Sequence, residues 1–110
     1  MKKKLLFVCS GGLDRSPTAV ELFRNNEKYE AKSCGIHPIT ESTPITKHLL
    51  RWADIIFVME HEHKADILER FPLIIRDKPE IIVLNISNQY VRHDPELEKL
   101  LRYKLKDWLK

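Results

Sequence analysis

Four short apolar runs, Lys3–Val8, Tyr29–Ser33, Asp54–Met59 and Ile81–Leu84, alternate along the chain with stretches that carry helix signals. No long linker, repeat or low-complexity tract interrupts them. An alternation of this kind folds into a parallel sheet, because each strand returns through a crossover that covers one face of the sheet. The first predicted helix is Ser16–Asn25, with Ala19, Val20, Leu22 and Phe23 inward. Thr43-Pro44 opens a second that runs to Ala53, with Ile45, Leu49, Leu50 and Trp52 as its apolar positions. A third covers Glu60–Phe71 and stops near Pro72; the last is Asp94–Leu109, with a cap, a proline and acids at its start. The expected fold is α/β: one domain over 1–110, a four-stranded parallel sheet with helices on both faces. At 110 residues the chain can bury one core. Ligands in such sheets bind outside the carboxyl ends of the strands, where Cys9 and the loops after the third and fourth strands are expected to meet.

Chemistry concentrates at the first of these ends. Cys9 closes the first apolar run and is followed after five residues by Arg15 and then Ser16-Pro17, where a helix begins. A thiol attacks only as its thiolate, and a cysteine beside a helix start and a guanidinium is the setting that favours that form. Ser10, Gly11, Gly12, Leu13 and Asp14 make a loop whose backbone amides can curl inward, since two glycines reach left-handed conformations without a Cβ penalty. Such a nest binds a tetrahedral oxyanion. Arg15 adds a planar fork matched to two phosphate oxygens, and the first helical turn adds its dipole. Ser16 is expected as the cap, with its hydroxyl near the sulfur.

Leu6-Phe7-Val8-Cys9-Ser10-Gly11-Gly12-Leu13-Asp14-Arg15-Ser16-Pro17 resembles the phosphate loop of low-molecular-weight protein tyrosine phosphatases, in which Cys, five residues and Arg-Ser-Pro follow the first strand. The likeness continues through Ser33-Cys34-Gly35-Ile36 and Ala53–Met59 and so spans most of the chain. It implies a flavodoxin-like sheet and two phosphoryl transfers. Cys9 attacks a phosphate monoester, expected to be protein phosphotyrosine, with a phosphorylated protein or a small aryl phosphate as the partner. Arg15 and the loop hold the phosphate oxygens, a carboxylic acid protonates the leaving group, and water releases inorganic phosphate from phosphocysteine. No metal and no cofactor is implied.

The resemblance puts that acid on the loop after the fourth strand, in an Asp-Pro-Tyr sequence, and the chain offers two registers. Alignment on Tyr90 puts Asn88 at the acid position; an amide cannot donate the proton. Alignment on the dipeptide selects Asp94-Pro95, which is also an ordinary helix cap. Asp14 is another candidate by proximity, expected to face outward because its carboxylate would repel phosphate. Gly12 replaces the asparagine that braces the family's loop, and Asp14 replaces a second cysteine that many members carry. Cys34 reads as a buried structural thiol. The chain is shorter than the usual member, which implies trimmed loops around the cleft.

Leu13, the Ile36-His37-Pro38 segment and Tyr90 are the candidate walls of a slot for a phosphotyrosine ring. Each also has a plain packing or surface role, and Trp52 and Trp108 read as core or half-buried helix residues. His61 and His63, with Glu60 and Glu62, read as a solvated helix face, with the two histidines on different sides and no metal cluster. Composition of 43% hydrophobic and 32% charged residues is that of a soluble protein, and the net charge of +3 suits an anionic substrate without arguing for nucleic acid. The N-terminal lysines lead into too short an apolar run for a signal peptide, so a cytoplasmic protein without a membrane partner is expected. Three rivals share the loop. An arsenate reductase needs cysteines beyond Cys34 that this chain lacks. A phosphocysteine carrier of a sugar phosphotransferase system does not continue into Arg-Ser-Pro. A non-catalytic phosphate or phosphopeptide binder would keep the loop and lose the acid, as Asn88 allows.

Overall fold

The computed structural model describes residues 2–37, 42–76 and 80–109. Its elements run β1 (Lys3–Cys9), α1 (Arg15–Glu21), β2 (Tyr29–Gly35), α2 (Lys47–Trp52), β3 (Ile55–Val58), α3 (His61–Arg70), α4 (Pro72–Arg76), β4 (Ile81–Val83) and α5 (Pro95–Leu105). The four strands form one parallel sheet in the order β2-β1-β3-β4, the architecture expected from the alternation. β1 is central. It pairs with β2 from Lys3↔Tyr29 to Cys9↔Gly35 and with β3 from Leu5↔Ile55 to Val8↔Val58.

Because successive side chains of a strand point to opposite faces, the apolar run of β1 feeds two cores. Leu5, Phe7 and Cys9 join Phe57, Met59 and Leu84 beneath Ala19 of α1 and Leu97, Leu101 and Leu105 of α5. Phe7 stacks on Phe57 at 5.2 Å between ring centroids. Leu6, Val8 and Cys34 face the other way, against Leu49 and Leu50 of α2, Ile67 of α3 and Ile75 of α4. Helices therefore cover both faces, and the two cysteines are in different cores.

Several boundaries differ from the sequence expectation. α2 does not open at Thr43-Pro44: that segment runs extended against the end of β2, with a bridge between Gly35 and Pro44, and Thr46 caps the helix by accepting from the Leu49 amide at 3.1 Å. α1 begins at Arg15 with Asp14 in the cap position, so Ser16 is inside the first turn rather than its cap. Pro72 starts the short α4 instead of only ending α3, in keeping with proline's fit to a first helical position. α5 ends at Leu105, and Trp108 beyond it is 48% exposed, so it is not a core residue. Trp52 is half-buried, with the Lys32 ammonium 4.5 Å from its ring centre. No helix among the described residues is long and apolar enough to cross a membrane.

Candidate active site

The carboxyl ends of β1, β3 and β4 converge as the parallel order requires, and three segments distant in sequence meet there. The first is the loop after β1. Gly12 adopts φ +74°, and its amide donates to Cys9 Sγ at 3.2 Å. Ser16 Oγ stands 3.1 Å from the same sulfur and 3.4 Å from the Cys34 carbonyl. Gly35 lies directly under the loop, where a Cβ would come within 2.6 Å of the Gly11 carbonyl carbon. The end of β2 thus carries glycine because the loop backbone occupies the space a side chain would need.

Arg15 is 3% exposed, and all three segments hold it. Its Nη1 donates to the Ile86 carbonyl after β4 at 2.6 Å and pairs with Glu60 Oε2 after β3 at 3.2 Å; its Nη2 donates to Ser10 Oγ at 3.3 Å. A guanidinium fixed on one side by a carbonyl and a carboxylate has its fork pre-set, so little rotamer entropy remains to be lost when an oxyanion binds. The loop after β4 is tied down further. The Arg92 amide donates to Asp14 Oδ1 at 3.0 Å, and the His93 amide to Thr18 Oγ1 at 2.9 Å.

A cavity of about 280 Å³ opens over the sulfur, lined by Cys9, Ser10, Gly11, Leu13, Asp14, Arg15, Asn88 and Tyr90. The structure brings to this cavity every loop residue except Gly12, whose amide meets the Cys9 sulfur, together with Asn88 and Tyr90. It does not bring Asp94 there. Asp94 is absent from the lining and caps α5, with Oδ1 accepting from the Glu96 amide at 2.9 Å. Ile36 and His37 instead line an adjoining cavity of about 210 Å³ with Ser10, Glu62, His63 and Asp66, and Pro38 lies outside the described residues.

The reading of Glu60–His63 as a solvated face is corrected. His61 is exposed, but His63 is 2% exposed and turned toward the phosphate loop. Its Nδ1 accepts from the Glu60 amide at 3.1 Å, its Nε2 lies 2.8 Å from Ser10 Oγ, and the Glu60 carboxylate completes a capping box with the His63 amide. Burial above all, then the Arg15 guanidinium, lowers the His63 pKa to about 4 against the opposing pull of Glu60 and Asp66. Glu60, Glu62 and His63 hold their ligand atoms within 4.8 Å of one another, yet both imidazole nitrogens and the Glu60 carboxylate already have protein partners. Sequence reasoning missed Glu60 and His63 as site residues. The available signal was position, since they directly follow β3 at the sheet edge where ligands bind. Cys34, fully buried, has its thiol pushed up to about 12 by burial and then by the Cys9 sulfur nearby.

No protein-family model matches the chain. A protein-arginine-phosphatase of Geobacillus stearothermophilus is 30% identical over 95 residues, a match that covers 64% of that protein, so the chain spans less than two thirds of the curated relative's length. The solved YwlE arginine phosphatase from Geobacillus stearothermophilus superposes with a TM-score of 0.69 at 27% identity, covering 94% of this chain and 90% of the other. The solution structure of a low molecular weight protein tyrosine phosphatase from Bacillus subtilis gives a TM-score of 0.68 at 26% identity, covering 97% and 99%. In sequence and in fold the chain resembles the low-molecular-weight protein tyrosine phosphatases. Against the pattern of that family, the departures cluster around phosphate. Gly12 packs its backbone on Gly35 where a side-chain brace is usual, and Asn88, which holds the acid position in one of the two registers, lines the cavity.

Proposed function

We propose that this chain is a cysteine-dependent phosphatase acting on phosphate monoesters, with protein phosphotyrosine as the substrate class its cavity suits best. One observation carries the reading: the Cys9 sulfur receives the Gly12 amide at 3.2 Å and stands 3.1 Å from the Ser16 hydroxyl, next to a buried guanidinium that is already oriented. In this reading the Cys9 thiolate is the nucleophile that attacks phosphorus. In this reading Sγ forms a bond to phosphorus as the ester oxygen departs, and Arg15 with the loop amides neutralises charge on the three non-transferring oxygens. Water then attacks phosphocysteine, which releases inorganic phosphate and regenerates the thiolate. A cytoplasmic phosphoprotein or small aryl phosphate is the corresponding partner.

Leaving-group protonation is the weak element of this site. Asn88 is an amide, the Asp94 carboxylate is engaged at the α5 cap, and Asp14 accepts from the Arg92 amide. Turnover should therefore fall steeply as the leaving group becomes more basic, because general acid catalysis is commonly worth about 10²–10⁴ in rate. Asn88→Asp should raise the rate for basic leaving groups and leave activated ones nearly unchanged; Asp94→Asn should change neither. Loss of activity toward basic leaving groups in Asp94→Asn alone would return the acid role to Asp94.

For the substrate, Leu13 and Tyr90 supply the apolar walls that a phenyl ring requires. A second reading, protein phosphoarginine, is favoured by the similarity to the arginine phosphatase of Geobacillus stearothermophilus in both sequence and structure. Release of phosphate from phosphotyrosyl and phosphoarginyl peptides of the same sequence separates them. The ring-slot reading expects the higher kcat/KM on phosphotyrosine, and the reverse order would assign the chain to phosphoarginine.

A further inference from the structure

Ser10 is the residue shared by the two cavities at the sheet edge, and its hydroxyl oxygen has two donors aimed at it: His63 Nε2 at 2.8 Å and Arg15 Nη2 at 3.3 Å. We propose that His63 is a positioning residue for phosphate binding, which holds the Ser10 hydroxyl so that its O–H is left to donate to a phosphate oxygen above Cys9. The inference rests on the phosphatase reading of that loop and names a residue outside it.

Hydrogen-bond arithmetic fixes the direction of each contact. The Glu60 amide can only donate, so Nδ1 of His63, 3.1 Å away, is the acceptor and carries no proton. In the neutral ring the proton is then on Nε2, which donates to Ser10 Oγ. Arg15 has no acceptor, so its contact with Ser10 is also a donation. A hydroxyl has two lone pairs and one proton. Both lone pairs are thereby taken on the protein side, and the proton is directed to an acceptor elsewhere, which an oxyanion in the Cys9 cavity supplies. Burial of the ring keeps it in this neutral state. A protonated His63 would bring a second donor to the Glu60 amide and break the arrangement. The latch also gives the loop a side-chain brace from α3, on a chain whose own loop has glycine at position 12.

A double-mutant cycle tests the inference, with the dissociation constant of inorganic phosphate from the full chain read by calorimetry and kcat/KM on an aryl phosphate read beside it. Ser10→Ala and His63→Ala are each expected to weaken phosphate binding about tenfold, the worth of one hydrogen bond to a charged group. If His63 acts through Ser10, the double variant should be no weaker than the single ones. His63→Gln, whose amide oxygen can accept from Glu60 and whose nitrogen can donate to Ser10, should recover most of the affinity and guards against an alanine variant that fails to fold. Additive effects, or normal affinity in a folded His63→Ala, would overturn the proposal. Coupled loss of phosphate binding without any wild-type turnover would sustain it while removing the phosphatase reading; Cys9-dependent turnover with additive effects would do the opposite. A wild-type chain that neither binds phosphate nor turns over would end both.

Discussion

Gly35 shows how closely the site depends on single residues. A Cβ there would sit 2.6 Å from the carbonyl carbon and 2.8 Å from the oxygen of Gly11, both backbone atoms that no rotamer change can move aside. Gly35→Ala should therefore shift the phosphate loop, cost about 1–3 kcal/mol of stability and weaken phosphate binding together. Thermal melts and phosphate titration of this variant measure both, and an unchanged affinity would mean that the loop is less constrained than its packing implies. The two cysteines differ in a testable way as well. Cys34 is fully buried, with its thiol held protonated to about 12, whereas Cys9 lines a cavity. Iodoacetate at neutral pH is expected to label Cys9 alone, with protection by phosphate, as peptide mass mapping would detect. At this scale Cys9, Arg15 and Ser16 were legible because they share one contiguous loop whose spacing itself encodes the chemistry. Glu60 and His63 were not. They reach Arg15 and Ser10 across 45 and 53 positions of sequence, and a His-Glu-His helix start reads as polar surface until the sheet edge places it.

Among the elements, α5 carries the clearest prediction. Asp94 accepts from the Glu96 amide and is followed by proline at the first helical position, so it is a helix cap by geometry. Asp94→Asn should keep both stability and turnover, since asparagine caps as well as aspartate. Asp94→Ala should lose about 1 kcal/mol in a denaturant melt, with the leaving-group dependence unchanged. β1 and β3 were readable as continuous apolar runs, and α5 by its repeat of buried Leu97, Leu101 and Leu105. The start of α2 was not, because Thr43-Pro44 looks like a helix opening, yet its backbone finds better partners at the end of β2: the Gly35 amide donates to the Thr43 carbonyl at 2.9 Å and the Ile45 amide to the Gly35 carbonyl at 3.0 Å. α4 was hidden for a related reason. Pro72 both stops one helix and begins another, and five residues are too few to show a period.

For the molecule as a whole, the alternation of strands and helices was enough to anticipate a two-sided parallel sheet, since β1 buries Leu5, Phe7 and Cys9 on one face and Leu6 and Val8 on the other. That same burial couples the site to global stability through His63. It faces Arg15, Glu60, Glu62, Asp66 and His37, and its pKa is about 4 in the fold against an ordinary 6.5. Between these values the unfolded chain binds the proton more readily, so stability is fully present above pH ~6.5 and falls as pH drops toward ~4. The loss amounts to at most about 3 kcal/mol. His63→Gln should flatten that part of the stability profile, and an unaltered slope would assign the acid sensitivity to other groups. The central claim, that Cys9 is a phosphatase nucleophile set in a prepared oxyanion cradle, is tested most directly by hydrolysis of an activated aryl phosphate across about pH 4.5 to 8 with chelator present, by wild type and Cys9→Ser. Metal-independent turnover that vanishes in the serine variant, while phosphate still binds, is the predicted result; turnover that survives the substitution, or a wild type that binds phosphate without turning over ester, would contradict it.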